Sequence, residues 1–222
     1  MAVSFAMIFI DMIPAVQRSK EATQELKEEA EKSGKAFLEL NSAIGALNDT
    51  KNQITLIKVL KEIKIDAEII FLGDGPNKEF LINASRDISS NCKTIFKGRV
   101  SRDLTIEHML EADISISLSK GEGLPIAILE SMYAGCFLIL SDIPPHKEID
   151  PPQSRCIFIN VAKKFEVAHS LAFIEDNLTK IRHEREISRD YSVKKFGLEN
   201  MLDQYRRVYQ AVVDFEITTT GI

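Results

Sequence analysis

Residues 114–140 read ISISLSKGEGLPIAILESMYAGCFLIL. Ile114–Leu118 is an apolar run of strand length. Pro125–Ala134 reads as a helix: proline suits a first turn, where its missing N–H costs nothing, and Gly135 suits the stop. Phe137–Leu140 is a second strand. Strand, helix and strand joined by glycine-bearing turns make a βαβ unit, whose strands lie parallel. The same alternation extends in both directions. Upstream, strands are expected at Ala36–Leu47, Ala67–Leu72 and Thr94–Lys97, with helices at Lys51–Lys64, Asn77–Ser89 and Ser101–Glu111, the last capped by Ser101. Downstream come a strand at Cys156–Asn160 and two helices, Phe165–Arg185 and Val193–Phe215. Right-handed crossovers put helices on both faces of such a sheet. The expected fold class is therefore α/β, a parallel sheet covered on both sides. Ligands bind such sheets beyond the carboxyl ends of the strands, which singles out the loops at 47–51, 73–76, 98–101, 119–125 and 141–145.

The sequence has 222 residues and is 45% hydrophobic, which supports a packed core rather than a disordered chain. Against 33 Asp and Glu there are 28 Lys and Arg, a net charge of −5, which argues against a nonspecific binder of nucleic-acid backbone. Cys92, Cys136 and Cys156 form no C-x-x-C pair, so buried reduced thiols in a cytoplasmic protein are expected. The apolar run Ala2–Ile10 is interrupted by Asp11, short of the roughly 20 residues that span a bilayer. It reads as a short strand rather than an anchor or secretory signal. Residues 17–35 (QRSKEATQELKEEAEKSGK) place Glu and Lys at helical spacing around a thin apolar stripe of Ala22, Leu26 and Ala30. The organisation expected is a junction segment at 1–35 with this charged helix, then one domain at 36–222.

The 119–135 segment carries the chemistry. Its helix is apolar nearly all round and therefore buried, yet it contains Glu130, and a carboxylate is rarely buried without a partner. Glu122 lies eight residues earlier in a loop flanked by Gly121 and Gly123. At about 1.5 Å per helical residue the two carboxylates stand roughly 10 Å apart. That is too far for an acid–base pair on one bond or for one metal. It suits two ends of an extended ligand that offers hydroxyls. Between them lies a helix N-terminus, with N–H groups at Leu124 and Ile126 expected to be unpaired and ready for a phosphate. Hydroxyls, phosphate, hydroxyls is the layout of a sugar nucleotide.

With EADISISLS (111–119) before it and PPHKEI (144–149) after it, the stretch GEGLPIAILESMYAGCFLILSD (121–142) resembles the donor-binding half of retaining GT-B glycosyltransferases of family 4. IGALNDTKNQITLI (44–57) resembles that family's first strand-to-helix turn, FLGDGP (71–76) and FKGRV (96–100) its next two strand ends, and YSVKKFGLENMLDQYRRVY (191–209) its closing helix. The resemblance covers roughly Phe37 to Val213 and implies a Rossmann-like domain, the C-terminal half of a GT-B enzyme. It assigns Glu122 to the donor sugar, Glu130 to the nucleotide ribose and Lys51 to the pyrophosphate. Gly73 lies at the donor, and the backbone of Arg99 and Val100 beside the base. Glu122 and Lys51 carry the catalytic roles, with the N–H groups of Gly123 and Leu124 at the departing charge.

The implied reaction moves a hexose-type sugar from a UDP- or GDP-sugar to a glycan or lipid-linked acceptor, with no metal and no cofactor besides the donor substrate. Two departures from the family stand out. Ala46 and Asn48 occupy the place where a basic residue usually assists the lysine. The N-terminal GT-B domain, which brings the acceptor site, is not matched, so a separate partner domain is implied. The alternative is a non-catalytic sugar-nucleotide-binding module acting through protein contacts. A GT-B-type epimerase would need an acid–base pair that the sequence does not offer.

The remaining candidates have plainer readings. His108, His146, His169 and His183 are scattered without metal-ligand spacing and read as core or solvated residues. Asp103, Asp113 and Asp142 make a cluster on paper only, and Asp142 reads as a turn cap before Pro144. Glu148 reads equally as a helix-start carboxylate. Lys163–Lys164 and Arg182–Arg189 read as solvated helix faces, with peripheral contact to an anionic cytoplasmic membrane face as the alternative. The broad apolar face of the closing helix folds onto the sheet or marks a partner site.

Overall fold

The computed structural model describes residues 38–42 and 45–220, with side chains over 45–211. The apolar run at 2–10 and the charged helix expected within 17–35 lie outside these residues. Six strands, β1 (Leu38–Ser42), β2 (Ala67–Leu72), β3 (Cys92–Gly98), β4 (Ile114–Ser117), β5 (Phe137–Ser141) and β6 (Cys156–Ile159), form one sheet. Its order is β3-β2-β1-β4-β5-β6 and every pairing is parallel. The helices are α1 (Gln53–Leu60), α2 (Lys78–Ser85), α3 (Arg102–Glu111), α4 (Ile126–Ala134), α5 (Pro144–Ile149), α6 (Lys164–His183), α7 (Arg185–Phe196) and α8 (Leu198–Thr220).

Two cores, one on each face, follow from the two-residue period of the strands. In β5, Phe137 and Ile139 join the core under α1, α2 and α6, while Leu138 and Leu140 join the core under α3, α4 and α5. The Rossmann-like expectation is met, and the sheet reverses its winding between β1 and β4. Beyond their carboxyl ends the following loops border a cavity.

Local signals hold at α3, where Ser101 Oγ accepts from Leu104 N–H at 3.3 Å, and at α4, where Gly135 closes the helix in the left-handed conformation with φ 89°. Three expectations change. The first strand is confined to Leu38–Ser42 within the described residues, and Gly45–Leu47 is already loop. The Pro144–Pro145 pair opens a helix, α5, instead of only a turn, because proline fits N1. The helix expected at Val193–Phe215 is two helices parted at Gly197, whose backbone is extended and where a Cβ would collide with the Val193 carbonyl.

The basic stretch at 182–189 is not a solvated face. Arg182 pairs with Asp113 through two 2.8 Å bonds. Arg185 donates to the carbonyls of Ala112, Leu110 and Ala134, and Arg189 to those of Tyr133 and Ala134. Arg155, fully buried, reaches Ile181 O at 2.7 Å and Gly135 O at 3.0 Å. The guanidiniums of Arg155, Arg185 and Arg189 satisfy carbonyls at the C-terminal ends of α3, α4 and α6. α8 is different: from Leu202 to Ala211 nearly every side chain is exposed, including Leu202, Tyr205, Val208 and Tyr209. No described helix is long and apolar enough to cross a membrane.

Candidate functional site

The loops after β1 and β4 are tied to each other before any side-chain chemistry is considered. Asn52, in the left-handed conformation at the start of α1, donates its amide to Leu118 O at 3.1 Å. Lys120 N–H donates to Thr50 O at 2.8 Å. Asn48 Oδ1 accepts from Lys51 N–H at 2.9 Å and fixes the turn that carries the lysine. The result is that Lys51 Nζ meets both carboxylate oxygens of Glu122 at 2.7 Å. The lysine side chain is 29% exposed and that of Glu122 only 9%, so the pair sits at the crevice wall with the cation toward solvent.

Glu122 rests on polar groups that the sequence reading passed over. The alternation of ISISLS turns Ile114, Ile116 and Leu118 into the α1-side core, which leaves Ser115 and Ser117 for the opposite face. Ser119 Oγ donates to Glu122 Oε1 at 2.6 Å and lies 3.2 Å from Ser117 Oγ. Behind them Ser141 Oγ donates to Ser119 O at 2.6 Å. His146 is completely buried against Ser141 and Ser117, and burial holds its imidazole below the usual range. Its reading as a core histidine stands in burial, but its partners are polar.

The N-terminus of α4 opens into the same place. A cavity of about 220 Å³ is lined by Lys51, Gln53, Ser117, Ser119, Glu122 and Leu124–Ile128. Of the two N–H groups expected to be free, Leu124 makes no hydrogen bond among the described residues, but Ile126 donates to Leu124 O at 2.9 Å. Ala127 takes its place as the second unpaired donor. The substitution has a local cause: the chain makes a tight turn at Pro125, with ψ 68°, before the helix begins. A Cβ at Gly121 or Gly123 would meet no atom within 4 Å among the described residues, so the chain on either side of Glu122 is open there.

Gly73, Arg99 and Val100 line a second cleft of about 320 Å³, together with Gly45, Ala46 and Asp74. The loop after β1 contributes to both hollows. Gly73, at φ 134°, lies so close to Gly45 that a Cβ would collide with the Gly45 carbonyl. The Gly75 N–H, aided by Lys78 and Arg99, holds the Asp74 carboxyl below its ordinary value. Glu130 lines neither hollow. It is buried, Arg102 Nη1 approaches its Oε1 at 2.9 Å, and that oxygen still lacks a well-directed hydrogen bond among the described residues. Burial raises the Glu130 pKa against the pull of Arg102. Arg102, its ion-pair partner, is a residue that the sequence analysis did not single out.

No group of three or more His, Cys, Asp and Glu among the described residues could hold a metal. The three cysteines are free, and burial pushes Cys92 and Cys136 up to about 11 and Cys156 to about 12.

The sequence profile of the family described as glycosyl transferases group 1 matches residues 23–183. A capsular polysaccharide biosynthesis glycosyltransferase, CapH of Staphylococcus aureus, is 31% identical over 115 residues, which is 48% of this chain and 31% of CapH. Among solved structures, HepE of Anabaena in complex with UDP and glucose superposes with a TM-score of 0.65 at 15% identity, over 84% of this chain and 51% of HepE. The C-terminal domain of LpcC, a glycosyl transferase group 1 family protein of Francisella tularensis, gives 0.61 at 17% identity, over 72% and 87% of the two chains. The catalytic domain of cholesterol-α-glucosyltransferase from Helicobacter pylori gives 0.61 at 15%, over 71% and 98%. These structures share the fold, and the chain spans about a third of CapH and half of HepE.

Proposed function

The chain belongs to the glycosyl transferases group 1 family, and on that premise we propose that it is the donor half of a retaining glycosyltransferase that takes a hexose from a UDP- or GDP-sugar. The observation that carries this reading is the meeting of Lys51 and Glu122 beside the open end of α4, where the loops after β1 and β4 are tied together. A diphosphate entering there exchanges the Glu122 carboxylate for its own oxygens on Lys51. The Leu124 and Ala127 N–H groups and the positive end of α4 meet the remaining charge. These donors are fixed before the bond to the sugar breaks, so they stabilise the departing phosphate without rearranging. Glu122, released from Lys51, then grips the sugar hydroxyls. The base lies in the second cleft near Arg99 and Val100. Glu130 leaves Arg102 to take the ribose hydroxyls.

The acceptor is a glycan or a lipid-linked sugar, as the likeness to a capsular polysaccharide enzyme supports. It is brought by an N-terminal domain, and the exposed apolar stripe of α8 supports a missing cover. Three cysteines without a disulfide fit a reducing, cytoplasmic setting. Calorimetric titration with UDP, GDP and their sugars tests the reading. Binding of at least one is expected, lost in Glu130→Ala and kept in Glu148→Ala, which alters an exposed residue of α5. Equal losses in the two variants, or no heat with any ligand, would contradict it.

A further inference from the structure

We infer that His146 is a positioning residue for the sugar-gripping carboxylate of Glu122, acting through Ser117, Ser119 and Ser141. This rests on the donor reading above and adds to it a second layer of polar groups behind the site. His146 Nδ1 lies 3.0 Å from Ser141 O, which can only accept, so the ring proton belongs on Nδ1. Ser141 Oγ, 3.1 Å from the same nitrogen, gives its own proton to Ser119 O. Nε2 is then left with a lone pair, and Ser117 Oγ stands 3.4 Å from it. Ser117 in turn lies against Ser119 Oγ, and Ser119 Oγ donates to Glu122 Oε1. Ser119 gives its one hydroxyl proton to Glu122, and Ser117 has a single proton for either Ser119 Oγ or Nε2, so the neutral ring joins the end of β5 to the end of β4 chiefly through Ser141, which holds Ser119 by its carbonyl.

Packing alone gives no reason for this residue. A buried imidazole loses hydration that an aliphatic side chain of similar volume never had, and it is retained in interiors where its hydrogen bonds are used. The use here follows from what the donor must do. When the diphosphate takes Lys51, Glu122 loses the cation that held it. The Ser119 hydroxyl remains as its fixed partner, and its direction depends on Ser117, Ser141 and His146. A carboxylate kept in place this way meets the sugar hydroxyls already oriented.

The test compares, by calorimetry, the tightest of UDP-glucose, UDP-N-acetylglucosamine and GDP-mannose with its own nucleoside diphosphate. The diphosphate alone reports on the displacement of Glu122 from Lys51, a step common to both ligands, and the ratio of the two affinities reports on the sugar grip. His146→Leu is expected to reduce that ratio about tenfold, the size of one charge-assisted hydrogen bond. Affinity for the diphosphate stays within about twofold, a pattern that general loss of structure would not give. Ser119→Ala reproduces the effect and serves as the readout where His146→Leu does not fold. His146→Gln, which keeps an acceptor for Ser117, restores most of the ratio. If Glu122→Ala abolishes the preference for the sugar nucleotide while His146→Leu and Ser119→Ala keep it, the inference fails and the donor reading survives. A wild type that binds neither ligand overturns both.

Discussion

Glu130 and Glu122 are both buried acids on one short stretch of chain, yet their partners set them different tasks. Glu122 is matched by a lysine on both oxygens and by a serine hydroxyl. Among the described residues Glu130 has Arg102 as its charged partner, itself about half exposed and poorly directed, so burial dominates and raises its pKa. A carboxyl whose folded pKa lies above its unfolded value disfavours folding once ionised, and the penalty vanishes in acid, where both states are protonated. Glu130→Gln is therefore expected to raise the melting temperature at pH 7 by a few degrees, with the gain shrinking as the pH falls into the ordinary carboxylate range. Thermal melts across that interval check it. A variant with no gain at pH 7, or one whose gain grows in acid, would show that Arg102 compensates the charge in full. The same substitution should weaken nucleotide binding, because Gln offers the two ribose hydroxyls one neutral acceptor oxygen in place of two charged ones.

Between the elements, the decisive groups are arginines that reach across long intervals of sequence. Arg155 holds the ends of α4 and α6 through Gly135 O and Ile181 O, and also donates to Ser188 Oγ on α7 at 3.1 Å. Burial pushes its pKa down to about 10, so it remains a cation at neutral pH. Arg155→Leu leaves two buried carbonyls without a donor, at about 1–3 kcal/mol each, and should lower the unfolding free energy in urea by roughly 2–5 kcal/mol. A loss below about 1 kcal/mol would mean that water replaces the guanidinium. Such contacts explain what could and could not be read from sequence. The cap at Ser101, the stop at Gly135 and the strand–helix rhythm are set by neighbouring residues, and the structure keeps them. The roles of Arg155, Arg182, Arg185 and Arg189 depend on partners at the far ends of other helices, so the chain showed only a run of charge. The site divides the same way. Lys51 and Glu122 were legible because strand ends of a parallel sheet share one edge. Ser117, Ser119 and His146 were not, since ISISLS reads as an apolar strand and PPHKEI as a turn until the two ends are side by side.

Taken whole, the molecule offers an edge of strand-end loops with a cavity at α4 and, away from its two cores, a helix with exposed apolar residues. On the proposed reading this chain binds the donor by itself but transfers sugar only when an N-terminal GT-B half is added in trans, which a product assay with and without that half would reveal. Tyr205→Ser with Val208→Ser, at exposed positions of α8, should leave the melting temperature of the chain within about 1–2 °C yet reduce the reconstituted rate. Unaltered reconstitution would remove α8 from the account. All of this depends on a diphosphate settling at the end of α4, in the cavity bordered by Lys51 and Glu122. Calorimetry of UDP, or of GDP if the guanine nucleotide binds tighter, on wild type and Lys51→Ala tests that placement, with the free nucleoside as control. The expected result is at least about a tenfold loss of diphosphate affinity with the nucleoside unaffected. Equal diphosphate affinity in the two proteins would contradict it.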